Sequence, residues 1–75
     1  MSSIHDPRYR TIINELTKLR ESKDITQVQL ATSLKKHQSY IAKVENLERR
    51  LDLIELHDWL IALNDNIADF LKNKL

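Results

Sequence analysis

The feature that most constrains this chain is the stretch from Thr26 to Arg50, TQVQLATSLKKHQSYIAKVENLERR. Thr26 is suited to cap a helix, and Gln29, three residues on, can return the bond and complete a capping box. Leu30, Ala31 and Leu34 then fall at the spacing of one buried helical face. Lys35 and Lys36 interrupt that pattern, and a second helical segment begins near His37 or Gln38. In it Ile41 and Val44 face inward, while Gln38, Ser39, Ala42, Lys43 and Asn46 share the outer side. The stretch thus specifies a short helix, a tight turn, and a second helix with a polar and basic outer face.

That plan is a helix-turn-helix. Thr26, Gln27, Leu30 and Ala31 form an opening Thr-Gln-x-x-Leu-Ala, and Gln38, Ser39, Tyr40, Ile41, Lys43, Glu45 and Asn46 form Gln-Ser-Tyr-Ile-x-Lys-x-Glu-Asn. Glu48, Arg49 and Arg50 follow. In these residues the chain resembles the lambda-repressor-like, Cro-type (XRE) family of DNA-binding domains, and the resemblance runs from about Tyr9 to Leu71. It departs from the family twice: Lys35 and Leu47 stand where members usually carry glycine, and the chain contains no glycine at all. Both positions commonly need positive φ, which costs a residue with a side chain roughly 1 kcal/mol or more. Asn46 is a candidate to take the left-handed conformation in place of the second glycine.

The rest of the chain fits one small domain, with a tail at residues 1–6 and the folded unit at 7–75. Its 75 residues bury only about 60–65% of the unfolded surface, near the lower limit for folding alone. Without cysteine there is no disulfide staple and no thiolate metal site. Stability must come from a compact helical core, with oligomerisation as a supplement. No signal peptide is recognisable and no apolar run approaches the ~18 residues of a membrane span, so the expected location is the cytoplasm.

A net charge of +1 says little, but its distribution says more. Lys35, Lys36, Lys43, Arg49 and Arg50 face only Glu45 and Glu48 between residues 35 and 50. From Leu51 to Leu71 the charges are Asp52, Glu55, Asp58, Asp65 and Asp69, with no Lys or Arg. One basic and one acidic end are expected, and a basic stripe is the footprint of a phosphate-binding surface.

Taken in order, Met1 to His5 read as a short mobile tail. Asp6-Pro7 starts a first helix of about 7–22, with Tyr9, Ile12, Ile13, Leu16 and Leu19 as its apolar stripe. Ser22 to Asp24 break it, and Ile25 plugs the core before Thr26. Asp52 caps a fourth helix of about 53–63, whose inward stripe is predicted to be Leu53, Leu56, Leu60 and Leu63. Asn66 caps a short last helix from Ile67 to about Asn73. Five helices and no strand signal make a compact all-α lambda-repressor-like bundle, with the helix-turn-helix at about 26–46.

The resemblance implies functional roles. Gln38, Ser39 and Lys43 become base-reading candidates, Gln38 because its amide matches adenine N6 and N7. Gln27, at the start of the preceding helix, becomes a phosphate contact. Lys36, Tyr40, Asn46, Arg49 and Arg50 are further phosphate candidates, although each also reads as an ordinary exposed polar residue. Arg20 and Glu45 occupy positions that pair in similar repressors, fixing the presentation of the second helix. Apolar residues beyond one core's needs, Ile61, Ile67, Phe70, Leu71 and Leu75, suggest a homodimer interface, while Trp59 serves either core or interface.

His5, His37 and His57 share no metal-ligand spacing, and no nucleophile–histidine–acid set stands out. The reading is a sequence-specific double-stranded-DNA regulator, not an enzyme, without cofactor, binding a palindromic operator as a homodimer. The alternative is a helical protein-interaction module that uses its apolar or acidic face.

Overall fold

The computed structural model describes residues 4–72 and 74. Within them lie α1 (Pro7–Ser22), α2 (Gln27–Leu34), α3 (Gln38–Glu45), α4 (Leu53–Ala62) and α5 (Ile67–Leu71). Met1–Ser3 of the expected tail, and Asn73 and Leu75 of the expected C-terminal region, lie outside the described residues.

The helix starts are those that the sequence chemistry demands. Asp6 accepts the Arg8 backbone N–H at 2.8 Å, and Pro7 occupies the first turn. The Arg8 guanidinium also binds this carboxylate, and together these bonds lower its pKa from 3.8 to about 2. Thr26 and Gln29 form a reciprocal capping box, as do Asp52 and Glu55. Asn66 caps α5 by accepting the Asp69 N–H. Each such cap satisfies backbone donors that the helix leaves open and contributes about 1 kcal/mol.

The ends of α1, α2, α3 and α4 share one device. Ile25, Lys36, Glu48 and Asp65 each donate a backbone N–H to the carbonyl five residues earlier, on Arg20, Ala31, Lys43 and Leu60. The residue before each donor is left-handed: Asp24 (φ 57), Lys35 (φ 57), Leu47 (φ 63) and Asn64 (φ 62). This is a Schellman-type closure, which ordinarily favours glycine. Asp and Asn tolerate it, whereas Lys35 and Leu47 carry the greater strain. Asn46 keeps φ −86, so it is not the left-handed substitute the sequence suggested. Leu47 takes that role because its half-buried side chain packs against the core, which offsets the backbone cost.

The core joins Ile13 and Leu16 of α1, Leu30 and Ala31 of α2, and Ile41 and Val44 of α3. Leu51, then Trp59, Leu60 and Leu63, and Phe70 of α5 complete it. Each fully buried large side chain contributes about 1.5–3 kcal/mol relative to exposure. The Tyr9 hydroxyl accepts the Leu51 N–H at 3.0 Å, tying the start of α1 to the chain leading into α4.

Two expectations about this core need correction. Leu53 is 65% exposed, and the inward stripe of α4 is Leu56, Trp59, Leu60 and Leu63. Leu53 sits at the edge of that stripe in the first helical turn, whereas Trp59 lies within it and is 1% exposed. Phe70 is 4% exposed and belongs to the core, not to a free interface. A five-residue helix has few side chains with which to hold itself down, and this ring is its anchor. Ile67 and Leu71 are half-buried against the same core, and Ile61 is 57% exposed.

Candidate nucleic-acid interface

The second helix of the motif is seated by its inner face. Ile41 and Val44 are fully buried, so Gln38, Ser39 and Lys43 are left exposed on the outer side. Gln38 is the first residue of α3, and no side-chain bond from His37 caps that end. The three base-reading candidates therefore share one accessible surface of a helix whose rotation is fixed by packing.

A line of hydrogen bonds sets the reading end. Arg20 Nε donates to Glu45 Oε2 at 2.8 Å and Arg20 Nη2 to Glu45 Oε1 at 3.1 Å. Their side chains are only 9% and 6% exposed, so the expected pair between α1 and α3 exists and is buried. Arg20 Nη1 also donates to the Ile25 carbonyl at 2.6 Å, which fixes the chain just before α2. Glu45 Oε1 in turn accepts Gln27 Nε2 at 2.9 Å, and Gln27 Oε1 accepts Gln38 Nε2 at 2.6 Å.

The order of donors and acceptors in this line is forced. A carboxylate can only accept, so Gln27 must turn its amide nitrogen to Glu45 and its oxygen to Gln38. Gln38 must then donate to Gln27, which leaves its own carbonyl oxygen and one amide hydrogen for a ligand. That donor–acceptor pair is the complement of an adenine edge. Two glutamines eleven positions apart carry no sequence pattern that announces their contact. Only the folded angle between α2 and α3 brings them together.

The phosphate candidates divide into two groups. Asn46 ends α3 as its C-cap and is exposed, as is Arg50. Lys36, Tyr40 and Arg49 instead form one cluster. The Tyr40 hydroxyl accepts the Trp59 indole N–H at 3.0 Å, and the two rings meet edge to face at 6.0 Å. The Arg49 guanidinium lies 4.7 Å from the Tyr40 ring centroid and the Lys36 ammonium 5.6 Å from it. Arg49 also pairs with Glu55 at 3.0 Å and donates to the Arg50 carbonyl.

Charge and burial act on this cluster in opposite senses. Burial pushes the Tyr40 hydroxyl pKa up. The Glu55 carboxyl lies below its ordinary range, first because the Asp52 backbone N–H donates to it and then because Arg49 pairs with it. Trp59 was an ambiguous residue in the sequence. Its role beneath Tyr40 depends on α3 and α4 being packed together, which no local pattern encodes.

A helix-turn-helix family model matches residues 16–69, a span that contains α2, α3 and α4. Among solved structures, the chain is similar to an XRE-family like protein from Pseudomonas syringae pv. tomato str. DC3000. The two are 37% identical with a TM-score of 0.88, over 95% of this chain and 87% of that one. No curated protein matches the sequence. The family match, the shared architecture and the level of identity lead to one conclusion: the chain belongs to the XRE family of helix-turn-helix proteins.

Proposed function

We propose that this protein is a DNA-binding transcriptional regulator that reads double-stranded DNA by sequence, with α3 in the major groove. The observation that carries the reading is the Gln27–Gln38 bond, backed by Glu45 and Arg20. It presents one free acceptor and one free donor of Gln38 at the exposed start of α3, the arrangement that discriminates adenine. Ser39 and Lys43 extend the reading surface, while Gln27, Lys36, Asn46, Arg49 and Arg50 supply phosphate contacts. Tyr40 contributes through its ring, over which Lys36 and Arg49 lie.

A single helix contacts too few base pairs to specify an operator, so the proposal includes a homodimer on a palindromic site. Ile61 supplies exposed apolar surface for it, and Ile67 and Leu71 are half-buried on α5. A phage repressor, a restriction–modification controller and an antitoxin-type regulator all fit such a protein. Selection of bound duplexes from a random library tests the function directly. Recovery of a symmetric motif whose preference at one position is lost in Gln38→Ala supports it. Enrichment of no motif sinks it.

One observation favours a second reading, a protein-interaction module. Leu53, Ile54 and Ile61 are 65%, 68% and 57% exposed on the single helix α4. If duplex selection fails while Ile54→Asp abolishes association with a protein partner, that reading prevails.

A further inference from the structure

The Tyr40 cluster joins parts of the chain that flank the candidate reading helix on both sides. Lys36 comes from the turn before α3, and Arg49 from the loop after it. Both cationic heads lie over the face of one aromatic ring, at 5.6 and 4.7 Å from its centroid. A cation at such a distance is attracted by the ring quadrupole, more strongly for a partly desolvated ring. Tyr40 is itself held from below by the Trp59 indole N–H, and Trp59 is 1% exposed. Glu55, a capping residue of α4, holds Arg49 from the other side. The hydroxyl oxygen is turned inward as acceptor of the indole N–H, and the ring is what faces the cations.

We propose that Tyr40 is a positioning residue: anchored by Trp59, its ring holds Lys36 and Arg49 in place to meet DNA phosphates beside the recognition helix. The inference rests on the DNA-binding reading above. It assigns to Trp59 a function beyond filling the core, and replaces a direct phosphate bond from Tyr40 by an indirect one. Cations that are already ordered lose less side-chain freedom on meeting a phosphate than free lysine and arginine do.

The experiment measures duplex affinity against salt for the unaltered protein, Tyr40→Leu and Tyr40→Phe, with folding checked by circular dichroism. Each phosphate neutralised contributes about 0.9 to the slope of log K against log salt. Tyr40→Leu should make the slope shallower by about 1 to 2, as one or both cations lose their phosphate, with affinity at low salt falling roughly tenfold or more. Tyr40→Phe, which keeps the ring, should recover at least half of that difference. Equal damage from Tyr40→Phe and Tyr40→Leu would show that keeping the ring does not keep the cations in place, and an unchanged slope in Tyr40→Leu would show that the ring positions nothing. Either result overturns the proposal.

A DNA-free measurement keeps the test open if Tyr40→Leu does not fold. In the unaltered protein the Arg49 Nε–H resonance should be displaced by the ring current of Tyr40. Its appearance at the position of a free arginine would also overturn the proposal. An unaltered protein that binds no duplex at low salt would instead remove the DNA-binding reading, and the proposal with it.

Discussion

The two ends of this small molecule are held together differently. Where α1, α2 and α3 meet, the decisive contacts are polar: Arg20, Glu45, Gln27 and Gln38 form one buried-to-exposed line of hydrogen bonds. Where α4 and α5 meet, the anchors are apolar: Trp59, Leu60, Leu63 and Phe70 are all buried. Apolar packing is non-directional and tolerates small shifts of one helix on another. A buried ion pair adds little net stability over apolar residues of similar size but permits few geometries. The contrast suggests that directional bonds are placed where an angle matters for recognition, and packing where only attachment matters.

The largest effect expected from breaking the polar end comes from leaving one charge alone. Arg20→Ala strands the Glu45 carboxylate in a nearly closed site, at a cost of about 3–5 kcal/mol. For a domain of this size that approaches the total stability. Thermal melts of Arg20→Ala, Glu45→Ala and the double variant test the contact, because the double should lose less than the sum. Additive losses would show that the two residues do not act together. The sharper test is the apolar replacement Arg20→Met with Glu45→Leu. It should restore much of the stability but not the DNA specificity, since Gln27 then has no acceptor to orient it.

The apolar end should respond to position rather than to polarity alone. Phe70→Ala should cost about 3–5 kcal/mol as a core truncation. Ile61→Asp, on the exposed side of α4, should change stability by no more than about 0.5 kcal/mol. Its effect should appear in sedimentation at micromolar concentration, as a shift from dimer towards monomer. A monomeric unaltered protein that still binds a palindrome tightly would place any dimer on the DNA alone.

Gln38→Ala should leave the melt nearly unchanged and weaken specific binding by about 1–3 kcal/mol, with relaxed preference at one operator position. Gln27→Ala should weaken specific and random duplexes together, and should also relax that same position, because Gln27 orients Gln38. The second part distinguishes a linked pair from two independent contacts. Competition binding against single-position operator variants measures it.

Smaller effects should come from the backbone and from acid. Lys35 is exposed and left-handed, so Lys35→Gly should stabilise the fold by up to about 1 kcal/mol, read from denaturant midpoints. Leu47→Gly should gain nothing, because it removes packing along with strain. Asp6 and Glu55 both have folded pKa values below their ordinary range. Their contribution is therefore present above the unfolded carboxylate range near 4, and is lost as pH falls towards the folded values, about 2 for Asp6. Asp6→Asn and Glu55→Gln should flatten that part of the stability profile, with no change near neutral pH in its slope.

Local chemistry alone determined a great deal. Helix starts at Pro7, Gln27, Leu53 and Ile67 follow from caps at Asp6, Thr26, Asp52 and Asn66, whose partners lie two or three residues away. The helix-turn-helix and the Arg20–Glu45 pair were legible because their residues match a known pattern in order and spacing. Burial on α4 was read less well, since a first-turn leucine fits the helical period whether or not anything packs over it. The tertiary structure decided what depends on distances across the chain: Phe70 in the core, Leu47 rather than Asn46 left-handed, Gln38 bound to Gln27, and Tyr40 set on Trp59. The physical reason is range. Caps and periodicity act within a few residues, whereas a side chain between two helices is placed by the angle at which they cross, and that angle is set by the whole core.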